Sequence, residues 1–258
     1  MPALIFDCDG VLADTERDGH LPAFNAAFAE AGLPVEWSEA EYAEKLKVGG
    51  GKERIASVFT PELDAAIGVS TDVERADWIK QLHLGKTARF TQRVADGLLP
   101  GRPGIRRIIA AALGAGWTVA VASTSAEASV RAVLRHAAGE ASYEQVRVFA
   151  GDIVQAKKPA PDIYLKVLED LHLDPAECVV VEDSGIGVAA AVAAGLTTVV
   201  TISSFTAEDD FTGAALILGD LGDPDAPATV IASPAGVTPA GHVTLDDLTA
   251  LMGKASGS

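Results

Sequence analysis

The sequence predicts an α/β fold, a doubly wound parallel sheet interrupted by an all-helical insert. Two observations carry this. Short apolar runs of strand length recur along the chain with helical patterns between them, as in βα units that bury a parallel sheet on both faces. Between the first and second of these runs lies a stretch, residues 15–97, with helical periodicity and no convincing strand. Composition agrees: of 258 residues 48% are hydrophobic and 22% charged, enough to bury a sizeable core in one large domain or two modest ones. Alanine supplies 46 of the apolar residues, so much of that count is small side chains suited to close helix packing.

The first strand is Ala3-Leu4-Ile5-Phe6, ended by an acidic turn. The insert follows, with helices expected over 21–31, 39–46 and 74–94, and Ser38 and Thr71 placed as N-caps. Its far edge is the segment 97–104, whose glycines and prolines suit a hinge linker. Helix 105–113, strand 117–122, helix 127–135, strand 146–150, helix 162–171, strand 178–181, helix 186–194 and strands 196–202 and 215–218 then complete the sheet. Beyond Leu218 the chain is rich in Pro, Ala and Gly, and it ends with an amphipathic piece over 245–252. The expected division is a core of 1–14 and 98–222, an insert of 15–97 and a C-terminal extension of 223–258 without an assigned structure.

The longest uncharged stretch, Ser184 to Ala207, is broken by Gly195 into an Ala/Gly-rich helix and a Val/Thr-rich strand, which argues against a membrane span. The apolar strand at Ala3 leaves no room for a signal peptide, so a cytoplasmic protein is expected. Cys8 and Cys178 lie in or beside apolar runs, without metal or disulfide spacing, and are expected to be reduced and structural. A net charge of −16 argues against nucleic acid as partner. It leaves room for a small phosphorylated ligand only where a metal ion or a few placed cations offset that field. No membrane partner is expected either, and a monomer is.

Four short segments could carry chemistry. Asp7-Cys8-Asp9-Gly10 puts two carboxylates at the carboxyl end of the first strand, where open parallel sheets bind ligands. Ser123-Thr124-Ser125 offers hydroxyls to an oxyanion, Lys157-Lys158-Pro159 a cation, and Glu182-Asp183-Ser184 two further carboxylates able to complete an oxygen-rich Mg²⁺ site. Each has an ordinary structural reading: an acidic turn, a helix N-cap, a solvated lysine pair, an acidic N-cap beside a helix dipole. Coincidence is a poor explanation of all four at the strand ends of one sheet.

In these motifs the sequence resembles the haloacid dehalogenase superfamily of phosphotransferases, with Val11 where the family often has Thr. The resemblance implies a Rossmann-like core with an inserted helical cap. It implies that Asp7 is a nucleophile forming an aspartyl-phosphate, and that Asp9 is a general acid and base. Ser123 and Lys158 would hold phosphoryl oxygens. Mg²⁺ would be bound by Asp7, the Asp9 carbonyl and Asp183, with Glu182 close by or coordinating through water. An acid at position 9 favours a phosphatase or mutase over a dehalogenase, because an alkoxide leaving group must be protonated.

Val48-Gly49-Gly50-Gly51-Lys52-Glu53-Arg54 superficially suggests a phosphate-binding loop. Glu53 after Lys52, and Leu46 where the first loop glycine should stand, exclude a Walker motif. As a glycine turn feeding a helix, Gly51, Lys52 and Arg54 are instead candidates for a distal phosphate. Glu16, His20 and Thr124 are further candidates for lining a substrate site.

The opening Asp-Gly-Val-Leu-Ala-Asp-Thr-Glu, the Gly-Gly-Lys-Glu-Arg segment and Lys157 to Tyr164 look most like the CbbY-type subgroup. That subgroup includes phosphatases of xylulose-1,5-bisphosphate, an inhibitory by-product of the carbon-fixing enzyme Rubisco. The implied activity is thus Mg²⁺-dependent hydrolysis of a small sugar phosphate, with a β-phosphoglucomutase-like mutase as the alternative. A catalytically silent phospholigand-binding module would lack some of Asp7, Asp9, Lys158 or the acidic pair, and all are present.

Overall fold

A computed structural model describes residues 1–46, 48 and 51–255, the last three without their side chains. The chain divides into two compact units, Met1–Thr15 with Leu99–Ser258, and Glu16–Leu98. The junctions fall one residue later than the sequence suggests, and the extension joins the first unit instead of standing apart.

The first unit holds a seven-stranded sheet: β1 (Ala3–Phe6), β2 (Thr118–Ser123), β3 (Arg147–Ala150), β4 (Cys178–Glu182), β5 (Thr197–Thr201), β6 (Leu216–Leu218) and β7 (Val230–Ala232), in the order β3-β2-β1-β4-β5-β6-β7. All neighbouring pairs are parallel except β6 with β7. β1 is central and wholly buried, as expected of a run of four apolar residues with no polar face. It pairs with β2 and β4 in a register that sets Phe6 level with Val121 and Val181. Asp7 and Glu182 follow directly and emerge side by side at one end of the sheet, and Ser123 ends β2 one residue further along.

Among the described residues, the second unit contains a π-helical turn (Glu16–His20) and the helices α1 (Leu21–Glu30), α2 (Glu39–Leu46), α3 (Gly51–Ala56), α4 (Pro61–Ile67) and α5 (Asp72–Ala95). Phe24, Phe28, Trp37 and Tyr42 form its aromatic centre. Thr71 caps α5 in a reciprocal pair with Glu74, and Ser38 and Glu41 exchange the same bonds at α2. α3 is the helix expected after the glycine turn, and α4 is one that the sequence reading missed. α4 nevertheless carries its signals, Thr60 as N-cap, Pro61 at the first turn and left-handed Gly68 at the end.

In the first unit α6 (Ile105–Gly114), α7 (Glu127–Ala138), the single turn α8 (Glu140–Tyr143), α9 (Asp162–Leu171) and α10 (Gly185–Ala193) connect the strands, and α11 (Leu245–Ala255) closes the chain. The extension is integral to this unit. β7 adds an antiparallel edge, Val243, Leu248 and Leu251 are buried, and the Arg107 guanidinium donates to the carbonyls of Gly222 (2.7 Å) and Val243 (2.8 Å). Both cysteines are buried and free. Among the described residues no helix is long and apolar enough to cross a membrane.

Candidate active site

The loop after β1 is a tight turn: Gly10 N donates to Ala13 O and Leu12 N to Cys8 O, each at 2.9 Å. Gly10 has φ +76°, and a Cβ there would fall 1.9 Å from Asp183 Oδ2. Glycine is therefore required twice, by its left-handed backbone and by the carboxylate lying against it.

Lys158 organises the centre. Its ammonium donates to Asp7 Oδ1 at 2.6 Å, to Glu182 Oε1 at 2.7 Å and to the Ala122 carbonyl at 3.2 Å, so the ends of β1, β4 and β2 meet on one cation. Glu182 is fully buried and also accepts from the Tyr164 hydroxyl and, through Oε2, from Asp183 N at 3.2 Å. The Tyr164 ring centroid lies 5.0 Å from Lys158 Nζ. Burial alone would lower the Lys158 pKa, but Asp7, Glu182 and Tyr164 around it hold it well above the usual value, so the cation is kept.

Carboxylate oxygens of Asp7, Glu182 and Asp183 lie within 4.8 Å of one another. Burial, reinforced by Glu182 and Asp7, pushes Asp183 well above the carboxylate range. Asp7 is raised from 3.8 to about 7 by burial, with Lys158 opposing and Glu182 and Asp9 adding to the rise. Three crowded carboxylates against one ammonium leave an excess of negative charge that a hard divalent cation would neutralise, and the all-oxygen donor set suits Mg²⁺. Of the three, Glu182 is the most committed to protein groups. Asp7 and Asp183 fit the ligand role more directly.

Asp9 stands apart from that cluster. Its Oδ1 accepts from Thr15 Oγ1 at 2.7 Å and its Oδ2 from Ser125 Oγ, which fixes the carboxyl in one orientation. Ser123 is buried, and its Oγ accepts from Ser125 N at 3.2 Å. Of the three consecutive hydroxyls it is thus Ser125 that addresses an acid, whereas Thr124 is half-buried beside it.

Within the helical unit, Glu16 Oε2 accepts from Tyr42 OH at 2.5 Å and both its oxygens lie 3.4 Å from Arg54 Nη1. Arg54 also donates to Tyr42 OH at 3.0 Å and to the Val48 carbonyl at 3.1 Å. Arg54 is therefore part of a bonded network within the helical unit. His20 stacks on Phe90 at 4.0 Å, and its Nδ1 lies 2.9 Å from Lys86 Nζ. Lys86 is buried, 4.7 Å from the Phe24 ring. Gly51 opens α3 close to the His83 ring, and Lys52 is exposed. His83 is shifted down by burial and by the charges of Lys86 and Lys52, which registers a local positive field. Gly49 and Gly50 of the expected glycine turn lie outside the described residues.

The sequence reading missed Tyr42, Lys86 and Tyr164, and it did not assign Thr15 and Ser125 to Asp9, to which both are bonded. Tyr164 and Lys86 offered no usable signal, since an aromatic at helical spacing reads as core and a lysine in a long helix as solvated surface. Thr15 and Ser125 stood inside segments already singled out.

Comparison with known proteins matches residues 1–195 to the family model described as haloacid dehalogenase-like hydrolase. The chain is 46% identical over 222 residues to a CBBY-like protein of Arabidopsis thaliana, covering 86% of this chain and 70% of the relative. It is 45% identical over 231 residues to the plasmid-encoded protein CbbY of Cupriavidus necator, covering 88% of each. Among solved structures, a variant of CbbY from Rhodobacter sphaeroides in complex with xylulose-1,5-bisphosphate superposes with a TM-score of 0.69 at 37% identity, over 85% of this chain and 95% of that one.

Proposed function

The chain belongs to the haloacid dehalogenase-like hydrolases and is a phosphatase similar to the CbbY proteins, and from that premise we propose that it hydrolyses a sugar bisphosphate such as xylulose-1,5-bisphosphate through an aspartyl-phosphate. The single observation that carries the mechanism is Lys158 bonded to both Asp7 and Glu182 beside the carboxylate of Asp183.

Asp7 attacks phosphorus, and the P–O bond to the sugar breaks as the aspartyl P–O bond forms. Asp9 gives its proton to the departing alkoxide, then takes one from the water that attacks the aspartyl-phosphate, releasing inorganic phosphate and regenerating Asp7. Thr15 and Ser125 hold Asp9 in place for both transfers. Lys158 offsets the phosphoryl charge, and Glu182, pinned by Tyr164, keeps Lys158 in position. Mg²⁺ on Asp7 and Asp183, with the Asp9 carbonyl, would supply charge neutralisation that lets a dianion approach a carboxylate. Ser123 is assigned to the phosphoryl group through its turn.

The bisphosphate assignment is supported by the sugar bisphosphate bound to the CbbY variant of Rhodobacter sphaeroides. Within the helical unit, Lys52 and Arg54 are candidates for a second, non-reacting phosphate and Glu16, His20 and Gly51 for other substrate contacts, and Thr124 is a candidate contact in the first unit. The test is phosphate release from a panel of sugar phosphates with Mg²⁺. Preference for xylulose-1,5-bisphosphate over monophosphates is expected. Conversion of β-glucose 1-phosphate to glucose 6-phosphate, primed by a bisphosphate and without net phosphate release, would overturn the assignment in favour of a mutase.

A further inference from the structure

We propose that Arg102 is a positioning residue for the nucleophile loop, its guanidinium clamping the Gly10 carbonyl to the ends of β5 and β6. The inference rests on the mechanism proposed above. Nη1 donates to Gly10 O and, at 2.9 Å, to Thr201 O. Nη2 donates to Ile202 O at 2.6 Å and to Gly219 O at 2.5 Å. The main chain repeats the connection, with Arg102 N donating to Leu12 O at 3.0 Å and Gly101 bridging to Ala13. One half-buried side chain thus gathers four main-chain carbonyls from three separate segments.

The chemistry explains why the residue is arginine. Past the carboxyl ends of parallel strands the ladder stops and main-chain carbonyls need other donors, and a planar fork of donors reaches several at once where a lysine ammonium acts as a point. Gly10 is the hinge on which this matters. The Gly10 Cα lies against Asp183, the Gly10 carbonyl is held by Arg102, and the peptide on its other side carries the Asp9 carbonyl. Releasing the carbonyl frees that peptide to rotate, and the separations among Asp7, Asp9 and Asp183 loosen together. The four bonds above all end on main-chain carbonyls, one of them in the nucleophile loop, so Arg102 acts through the loop.

The test uses the full chain with Arg102→Lys and Arg102→Ala beside the unaltered protein. The first readout is backbone hydrogen exchange of residues 7–15 without metal. The others are the Mg²⁺ concentration that half-raises Tm, and kcat and KM with p-nitrophenyl phosphate. For Arg102→Lys the expected result is exchange over 7–15 faster by about fivefold or more, with helices α1 and α5 unchanged. Half-saturation by Mg²⁺ should rise, and kcat should fall roughly tenfold with KM within about threefold, the signature of lost alignment with binding retained. A folded Arg102→Lys protein with unaltered exchange over 7–15 and unaltered kcat would overturn the proposal, as would faster exchange spread evenly through the sheet with kcat unchanged. If Arg102→Ala does not fold, Arg102→Lys decides. If the unaltered protein shows no response to Mg²⁺, the metal assignment fails by itself, and exchange with kcat still decides for Arg102.

Discussion

Glu182 lies against the Cα of Gly187: a Cβ at residue 187 would fall 2.1 Å from Glu182 Oε2 and 2.2 Å from its Cδ. The last residue of β4 folds over the third residue of α10, whose N-terminus is capped by Ser184. The open space at Gly187 lets Glu182 turn inward to Lys158 and Tyr164.

This contact reverses an ordinary expectation for a helical glycine. Helix propensity alone gives Gly187→Ala about 1 kcal/mol of added stability. The clash with a buried carboxylate instead predicts a Tm lowered by several degrees, and kcat lowered by roughly tenfold or more as Lys158 loses its partner. Thermal melts and p-nitrophenyl phosphate turnover check it, and a higher Tm with unaltered kcat would contradict it.

Asp7→Asn is nearly isosteric and is expected to abolish turnover while leaving the fold intact. It removes one of three crowded carboxylates, so without metal the variant should melt no lower than the unaltered protein at pH 8, and its Tm should respond much less to Mg²⁺. Turnover, together with melts at two Mg²⁺ concentrations, measures both. Substantial activity in a pure sample would remove Asp7 from the nucleophile's role.

The raised pKa of Asp7 gives a pH dependence with a definite sign. An unfolded chain releases this proton near 3.8, whereas in the metal-free fold burial holds it to about 7. Between those values the native state binds more protons than the unfolded state, so this group's contribution lowers stability as pH rises from about 4 to 7 and then levels off. Mg²⁺ bound to Asp7 would have to displace that proton. Its effect on Tm is therefore expected to be smaller at pH 6 than at pH 8, and its binding at pH 6 should release protons measurable by calorimetry in buffers of different ionisation enthalpy.

Arg54→Ala tests the helical unit's part in substrate choice. A lost charge-assisted contact is typically worth ~1.5–3 kcal/mol, which lowers kcat/KM for a sugar bisphosphate by roughly ten- to a hundredfold. p-Nitrophenyl phosphate has no second phosphate to lose and should be affected far less. Because Arg54 is bonded to Tyr42 and close to Glu16, Tyr42→Phe should produce a smaller loss of the same selective kind. An equal penalty on every substrate would mean that Arg54 serves only to hold the helical unit together.

By itself the amino-acid order determined the layout. Buried parallel strands must be continuous apolar runs, so β1, β2, β4 and β5 were legible within a residue or so, and the acids, hydroxyls and lysine after them could be placed at one end of a sheet. Tertiary structure decided what each group does there. Glu182 and Asp183 are adjacent and chemically alike, yet one is sealed against Lys158 and Tyr164 while the other lies on Gly10, because successive residues leaving a strand diverge in direction. Which of Ser123, Thr124 and Ser125 meets Asp9 depends on the turn that Ser123 closes, and no spacing rule encodes that turn. β7 was invisible because three half-exposed residues carry too little pattern, and their pairing is supplied by β6. The burial of Lys86 and the clamp of Arg102 depend on partners up to 117 residues away. Local sequence cannot show that a cation will find aromatic rings or main-chain carbonyls at such a distance, and only the folded chain brings them into range.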